Sequence, residues 1–102
     1  MVLQIYKQLR DFPQHEIYCL TQQLRRSAIS VPANIAEGFK KRGKSDKARF
    51  FNIAQGSLEG TRYLLLLARD LGYFENKELF TDIEEASRLL GAYSQQILTS
   101  AF

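Results

Sequence analysis

Apolar residues recur along this chain at steps of three and four, the spacing of one helix face, and no alternating strand pattern of useful length occurs. The first series is Val2, Ile5, Leu9 and Phe12. Pro13 closes it, because the residue before a proline is driven out of the helical region. A second segment is predicted from about Gln14 to Lys41, on the stripe Leu20, Leu24, Ala28, Val31, Ile35 and Phe39. Pro32 lies inside it and takes away the partner of the Ala28 carbonyl. The stripe continues in phase across Pro32, so a kinked helix is expected rather than a broken one, with Ser27 or Ser30 placed to satisfy freed carbonyls. Gly38 and Gly43 are expected to end this segment. Ser45 reads as the N-cap of a third, which runs to about Leu71 on Phe50, Ala54, Ser57 or Leu58, Thr61, Leu65 and Ala68. Gly72 in "LGY" reads as a C-cap followed by a packed aromatic. The fourth segment starts near Asn76 and carries the cleanest seam, Leu79, Ile83, Ala86, Leu90, Tyr93 and Ile97, a heptad pattern.

Short connections make sequential helices antiparallel. The expected fold is an all-α, antiparallel up-down four-helix bundle, one domain over residues 1–102. The first segment is about half the length of the others, which leaves part of the bundle groove uncovered. A native short helix and missing upstream sequence both account for that. Gly56 and Gly60 stand four apart inside the third segment, where each costs ~1 kcal/mol relative to alanine. Close approach of another helix of the same bundle explains them, and so does close approach of a neighbouring subunit.

Composition excludes several classes. Apolar residues make up 45% and charged residues 25% of the chain, ordinary values for a folded domain and too apolar for disorder. No apolar run reaches the ~20 residues that span a bilayer. The opening "MVLQIYKQLRDF" lacks the long apolar region and cleavage site of a signal peptide. Cys19 is the single cysteine and makes no internal disulfide, in keeping with a reducing, cytoplasmic setting.

Charge is distributed unevenly. Residues 1–49 carry ten Lys and Arg against four Asp and Glu, a balance of +6, and residues 50–102 carry four against seven, a balance of −3. Six of the cations, Lys40, Lys41, Arg42, Lys44, Lys47 and Arg49, fall within ten residues opposed only by Asp46. Arg25 and Arg26 lie on the same half of the chain. A polyanion rewards such clustering, because each neutralised phosphate releases counterions. A solvated loop and a docking site for the acidic fourth segment (Glu75, Glu78, Asp82, Glu84, Glu85) of another subunit are the competing readings. The spacing of Phe39, Phe50 and Phe51 fits core burial better than base stacking. No base-reading motif is present, so shape and phosphate recognition is expected.

Other candidate chemistry is thin. Asn34 and Glu37 have no local His, Cys or second carboxylate to join them in catalysis. Asn34 is expected to satisfy backbone loosened by Pro32, and Glu37 to pair with Arg25, with Arg26 or across a subunit boundary. His15 and Cys19, four apart, make half a metal site at best. Cys19 is expected to be a small, at least semi-buried apolar residue. "GFKKRGKS" matches the letters of a phosphate-binding loop (Gly38, Gly43, Lys44, Ser45), but such a loop follows a β-strand and none is predicted. No catalytic residue, metal or cofactor is assigned. A helix N-terminus behind that loop still favours a phosphate.

Taken together, "LTQQLRRSAISVPANIAEGFKKR", "FFNIAQGSLEG" and "LARDLGYF" resemble the four-helix-bundle proteins first found in intervening sequences of 23S ribosomal RNA genes. The residues that carry the resemblance are Arg25, Arg26, Ser30, Pro32, Asn34, Ile35, Ala36, Glu37, Gly38, Ile53, Ala54, Gly56 and Ser57. It covers roughly residues 15 to 75. Two departures are a first helix shorter than the family's and an acidic residue at Glu59 with Gly60 beside it. The resemblance implies a four-helix bundle and a homo-oligomer, with a ring-like pentamer as the specific form. One similar group is the accessory variability determinant of diversity-generating retroelements, which implies nucleic acid and a reverse transcriptase as partners. The function expected is a non-enzymatic, oligomeric module that contacts phosphates of structured RNA or DNA through its basic loop. A protein-interaction scaffold assembled by charge asymmetry is the alternative.

Overall fold

The structure, a computed structural model, describes residues 1–99. Four helices account for most of them: α1 (Val2–Leu9), α2 (Leu20–Lys40), α3 (Lys44–Asp70) and α4 (Lys77–Thr99), with a 3-10 turn at Gln14–Glu16. No strand occurs among the described residues. The body measures 49 × 24 × 17 Å. At 1.5 Å per residue, α3 is ~40 Å long and α1 only ~12 Å. The residues of α1 pack at one end of the body alone.

The pairings across α2 and α3 run in opposite senses. Ser30 Oγ lies 2.8 Å from Ser57 Oγ, and Thr61 Oγ1 donates to Ser57 O of its own helix at 2.8 Å and lies 3.0 Å from Ser27 Oγ. Asn34 Nδ2 donates to Ser30 O at 2.8 Å and lies 2.9 Å from Ser30 Oγ. These hydroxyls and the amide form a polar ladder between two apolar stripes, with Thr61 fully buried and satisfied. Ser30 and Ser57 thus link α2 to α3, and Asn34 braces Ser30 from within α2.

Two apolar clusters form the core. The larger joins Ile5, Leu9 and Phe12 to Leu20, Leu24 and Ala28 of α2, Leu58 and Leu65 of α3, and Leu79 and Ile83 of α4. The smaller joins Phe51 and Ala54 of α3 to Leu90 of α4, with Ile35 and Ile97 packed against it. Residues of α1 reach only the larger cluster.

Several boundaries differ from the periodicity-based expectation. α2 begins at Leu20, not near Gln14, because the ten residues after α1 make a reversal through the 3-10 turn. His15 and Cys19 therefore do not share a helix face, and Cys19 is exposed at the α2 N-cap rather than semi-buried. α2 runs unbroken through Pro32 to Lys40, so Gly38 is interior rather than terminal. Gly38 is buried because the Phe51 ring packs on it; an added Cβ would come within 2.9 Å of that ring. Ser27 caps no carbonyl freed by Pro32; it donates to Leu24 O. The N-cap of α3 is Gly43, without a side-chain cap, and Ser45 lies inside the first turn. The buried member of the Phe50–Phe51 pair is Phe51, and Phe39 is 58% exposed despite its place on the stripe. Phe39 stands at the end that α1 does not reach.

Other expectations hold. Gly72 has φ 82°, and Tyr73 N–H donates to Ala68 O while Gly72 N–H donates to Arg69 O, a complete Schellman stop. Asn76 Oδ1 accepts from Leu79 N–H at 3.1 Å and caps α4.

Candidate nucleic-acid interface

The corner between α2 and α3 collects the predicted cations from two helix ends. Lys40 is the last residue of α2, Lys41 and Arg42 lie in the connection, and Lys44, Lys47 and Arg49 lie in the first two turns of α3. A three-residue connection, residues 41–43, forces all six into one place.

They are not equivalent. Lys47 turns back and donates from Nζ to Phe39 O at 3.1 Å and Gly38 O at 3.3 Å. It caps the α2 C-terminus, where a cation meets the negative end of the helix dipole. Lys41 is 3.8 Å from Glu37 and sits over the Phe50 ring, its Nζ 5.0 Å from the centroid. Arg49 approaches the same ring at 4.9 Å. Phe50 is thus a half-buried aromatic plate that carries two cations. Lys40 and Arg42 are exposed and make no ion pair, hydrogen bond or ring contact with any described residue. At Gly43 the first N–H groups of α3 face the same loop without a side-chain cap.

An aromatic floor supports this surface. Phe39, Phe51 and Tyr93 meet with ring centroids 5.3 to 6.1 Å apart. The rings tie the corner to α4 as well as α3, so the cations stand on a packed base rather than on a loose loop. Beside Arg49 an open groove of about 610 Å³ runs between α3 and α4, past Asn52, Gln55 and Gln95.

Arg25 and Arg26 are not part of the corner. They lie fifteen and fourteen residues before Lys40 on the same helix, ~22 Å away along its axis. Arg25 instead covers the Tyr6 ring of α1 at 5.9 Å. Glu37 pairs with Lys41, not with either arginine. Sequence reasoning missed the plate at Phe50 and the capping role of Lys47. An adjacent Phe pair fits the α3 stripe in either phase, and a lysine one turn inside a helix gives no sign that it reaches back across the loop.

At the opposite end, Tyr73 Oη donates to Glu16 Oε2 at 2.7 Å and lies 3.3 Å from His15 Nε2. The hydrogen bond to Glu16, followed by burial and the carboxylate charge, raises the Tyr73 phenol above its ordinary range. This cluster closes the reversal after α1 onto the α3–α4 turn. No helix is long and apolar enough to cross a membrane among the described residues, and no group of three or more His, Cys, Asp or Glu is gathered there for a metal.

A family model described as 23S rRNA-intervening sequence protein matches residues 1–92. No curated protein matches the chain.

Proposed function

The chain belongs to the 23S rRNA-intervening sequence protein family, and we propose that this member is a non-enzymatic binding module that holds phosphates of structured RNA or DNA. The observation that carries the reading is the asymmetry within the basic corner. Lys47 and Lys41 are engaged by the fold, whereas Lys40 and Arg42 are exposed above the aromatic floor with no partner among the described residues. Arg49 and the uncapped α3 N-terminus extend the same positive field. Recognition is through shape and phosphate, without base readout. Arg25 and Arg26 join only if the bound molecule follows α2 for ~22 Å.

We read the four helices as an up-down bundle that acts as a cytoplasmic homo-oligomer. A ring-like pentamer is the specific form. Repetition of a weak corner around a ring would make an avid surface. A protein partner such as a reverse transcriptase fits beside the nucleic acid.

The test is binding of a structured RNA and a duplex DNA by the full chain across a salt series. Duplex affinity should fall steeply with salt, and Lys40→Gln, Lys41→Gln and Arg42→Gln together should flatten the log–log slope by roughly two to three. Affinity indifferent to both salt and these substitutions overturns the reading. A turnover abolished by Glu37→Gln with the fold intact would overturn the non-enzymatic part.

A further inference from the structure

The reversal between α1 and α2 leaves a small cleft of about 180 Å³, whose wall includes Arg10, Gln14, Thr21 and Arg25 with Phe12 and Ile17. Thr21 and Arg25 are four residues apart and therefore share a face of α2. Arg10 arrives from the other side, as the residue that ends α1. No carboxylate lines the cleft, and neither arginine is ion-paired among the described residues. Glu16, the acid within the 3-10 turn, is taken by Tyr73. Arg25 contacts the Tyr6 ring, and such a contact leaves its N–H donors free. Thr21 adds an independent sign. It is 3% exposed and lines the cleft, and its hydroxyl makes no hydrogen bond with any described residue. A buried hydroxyl without a partner is costly, and the cleft is where it can find one. The N-terminus of α2 begins beside it without a side-chain cap. The first amide of α2 to reach a carbonyl is that of Gln23, which donates to Cys19 O at 3.0 Å. The amides of Leu20, Thr21 and Gln22 precede it and form the positive end of the helix dipole.

We propose that this cleft is a binding site for a phosphoryl group, free or as a small phosphomonoester, held by the guanidiniums of Arg10 and Arg25 with the Thr21 hydroxyl and the Gln14 amide. Charge and size select this ligand. Two guanidiniums at one cleft repel each other, and a dianion between them removes the repulsion. A carboxylate is satisfied by a single guanidinium fork. A phosphoryl dianion has three oxygens to share between two forks and a hydroxyl donor. The volume of about 180 Å³ falls below the ~300–1,000 Å³ of sites that enclose a drug-sized ligand. The cleft therefore takes the phosphoryl head and leaves no room for a nucleoside. It is separate from the basic corner: Thr21 precedes Lys40 by nineteen residues on α2, ~28 Å along the axis. It is also complete within one chain. The bound anion bridges the end of α1 to the first turn of α2, so it ties the short first helix to the body.

The experiment is isothermal titration calorimetry on the full chain in a low-salt buffer free of phosphate. The probes are inorganic phosphate and glycerol 3-phosphate, with chloride at matched ionic strength as the control. Both probes should saturate and should raise the melting temperature as they do so. Arg10→Gln and Arg25→Gln should each weaken binding about tenfold, and Thr21→Val several-fold, with helical content unchanged by circular dichroism. Arg25→Lys keeps the charge and loses the fork, so it should bind between wild type and Arg25→Gln. Tighter binding of glycerol 3-phosphate would identify a phosphomonoester as the ligand, and equal binding would identify the free anion. Heats no larger than those of chloride overturn the proposal, and so does phosphate binding that Arg10→Gln, Arg25→Gln and Thr21→Val leave intact. Because no RNA or DNA enters the assay, a failure here leaves the reading of the basic corner standing, and the converse also holds.

Discussion

The two ends of this molecule are built from the same materials and finished differently. At the end opposite the basic corner, Phe12, Tyr73, Phe74 and Phe80 pack against one another, and Tyr73, Glu16 and His15 find partners within the chain while Arg10 and Asp11 stay exposed. Tyr73, Glu16 and His15 form one connected group. At the corner end, Phe39, Phe51 and Tyr93 make a comparable aromatic floor. The charges above it are only partly satisfied. Lys47 is used to cap α2, Lys41 is held by Glu37, and Lys40 and Arg42 have no partner among the described residues. The Tyr73–Glu16–His15 group acts as a latch between the reversal and the α3–α4 turn. The open cations of the corner are where we propose that phosphate binds.

The comparison breaks most readily at the floor of the open end. Phe51→Ala should cost about 3–5 kcal/mol, because a buried ring leaves a cavity beneath Gly38 and between α2, α3 and α4. Gly38→Ala pushes a Cβ to within 2.9 Å of the same ring and should cost about 1–3 kcal/mol by overpacking. Urea unfolding followed by circular dichroism measures both. A Gly38→Ala protein as stable as wild type would show that the ring is free to move aside and that the floor is soft.

A smaller effect separates structure from function within the corner itself. Lys47→Gln should lower stability by ~1 kcal/mol through loss of the cap on α2. Lys40→Gln with Arg42→Gln should leave stability within about 0.5 kcal/mol of wild type and weaken RNA binding several-fold. Paired unfolding and binding measurements on the two variants expose any exchange of these roles. Ser57→Ala, which removes one rung of the α2–α3 ladder, should cost ~1 kcal/mol without touching the binding surface.

The smallest predicted effect belongs to the closed end. The Tyr73 phenol is raised above its unfolded value by its bond to Glu16. A raised pKa in the folded state means that this contribution is complete below the unfolded value, ~10. It is lost as pH climbs through the folded value. Tyr73→Phe should therefore lower the melting temperature slightly at neutral pH and flatten the fall in stability above pH ~10. An alkaline melting series that is the same for both proteins would show that the latch carries no stability.

Helix number and type were legible because the apolar stripes of α2, α3 and α4 keep their phase over many turns. The stops at Gly72 and Asn76 were legible because each residue has one backbone task that suits it. The reversal at residues 10–19 was not, since its polar residues also fit a helix and the contacts that fix it, Glu16 and His15 with Tyr73 and Phe12 with Tyr73 and Phe74, are made with residues far along the chain. The position of the corner could be read from charge clustering alone. Which cations remain open could not, because Lys47 is engaged through a tertiary contact with carbonyls across the loop. Gly38, Gly56 and Gly60 look alike as letters. Only Gly38 has a ring packed on it, and the other two face outward.

The central claim is that the open end binds phosphate. Fluorescence-anisotropy titration of a labelled structured RNA and a duplex DNA, at low and at physiological salt, tests it most directly. The account predicts saturable binding at low salt that weakens steeply as salt rises. No binding even at low salt would contradict it and leave the basic corner as a surface for assembly or for a protein partner.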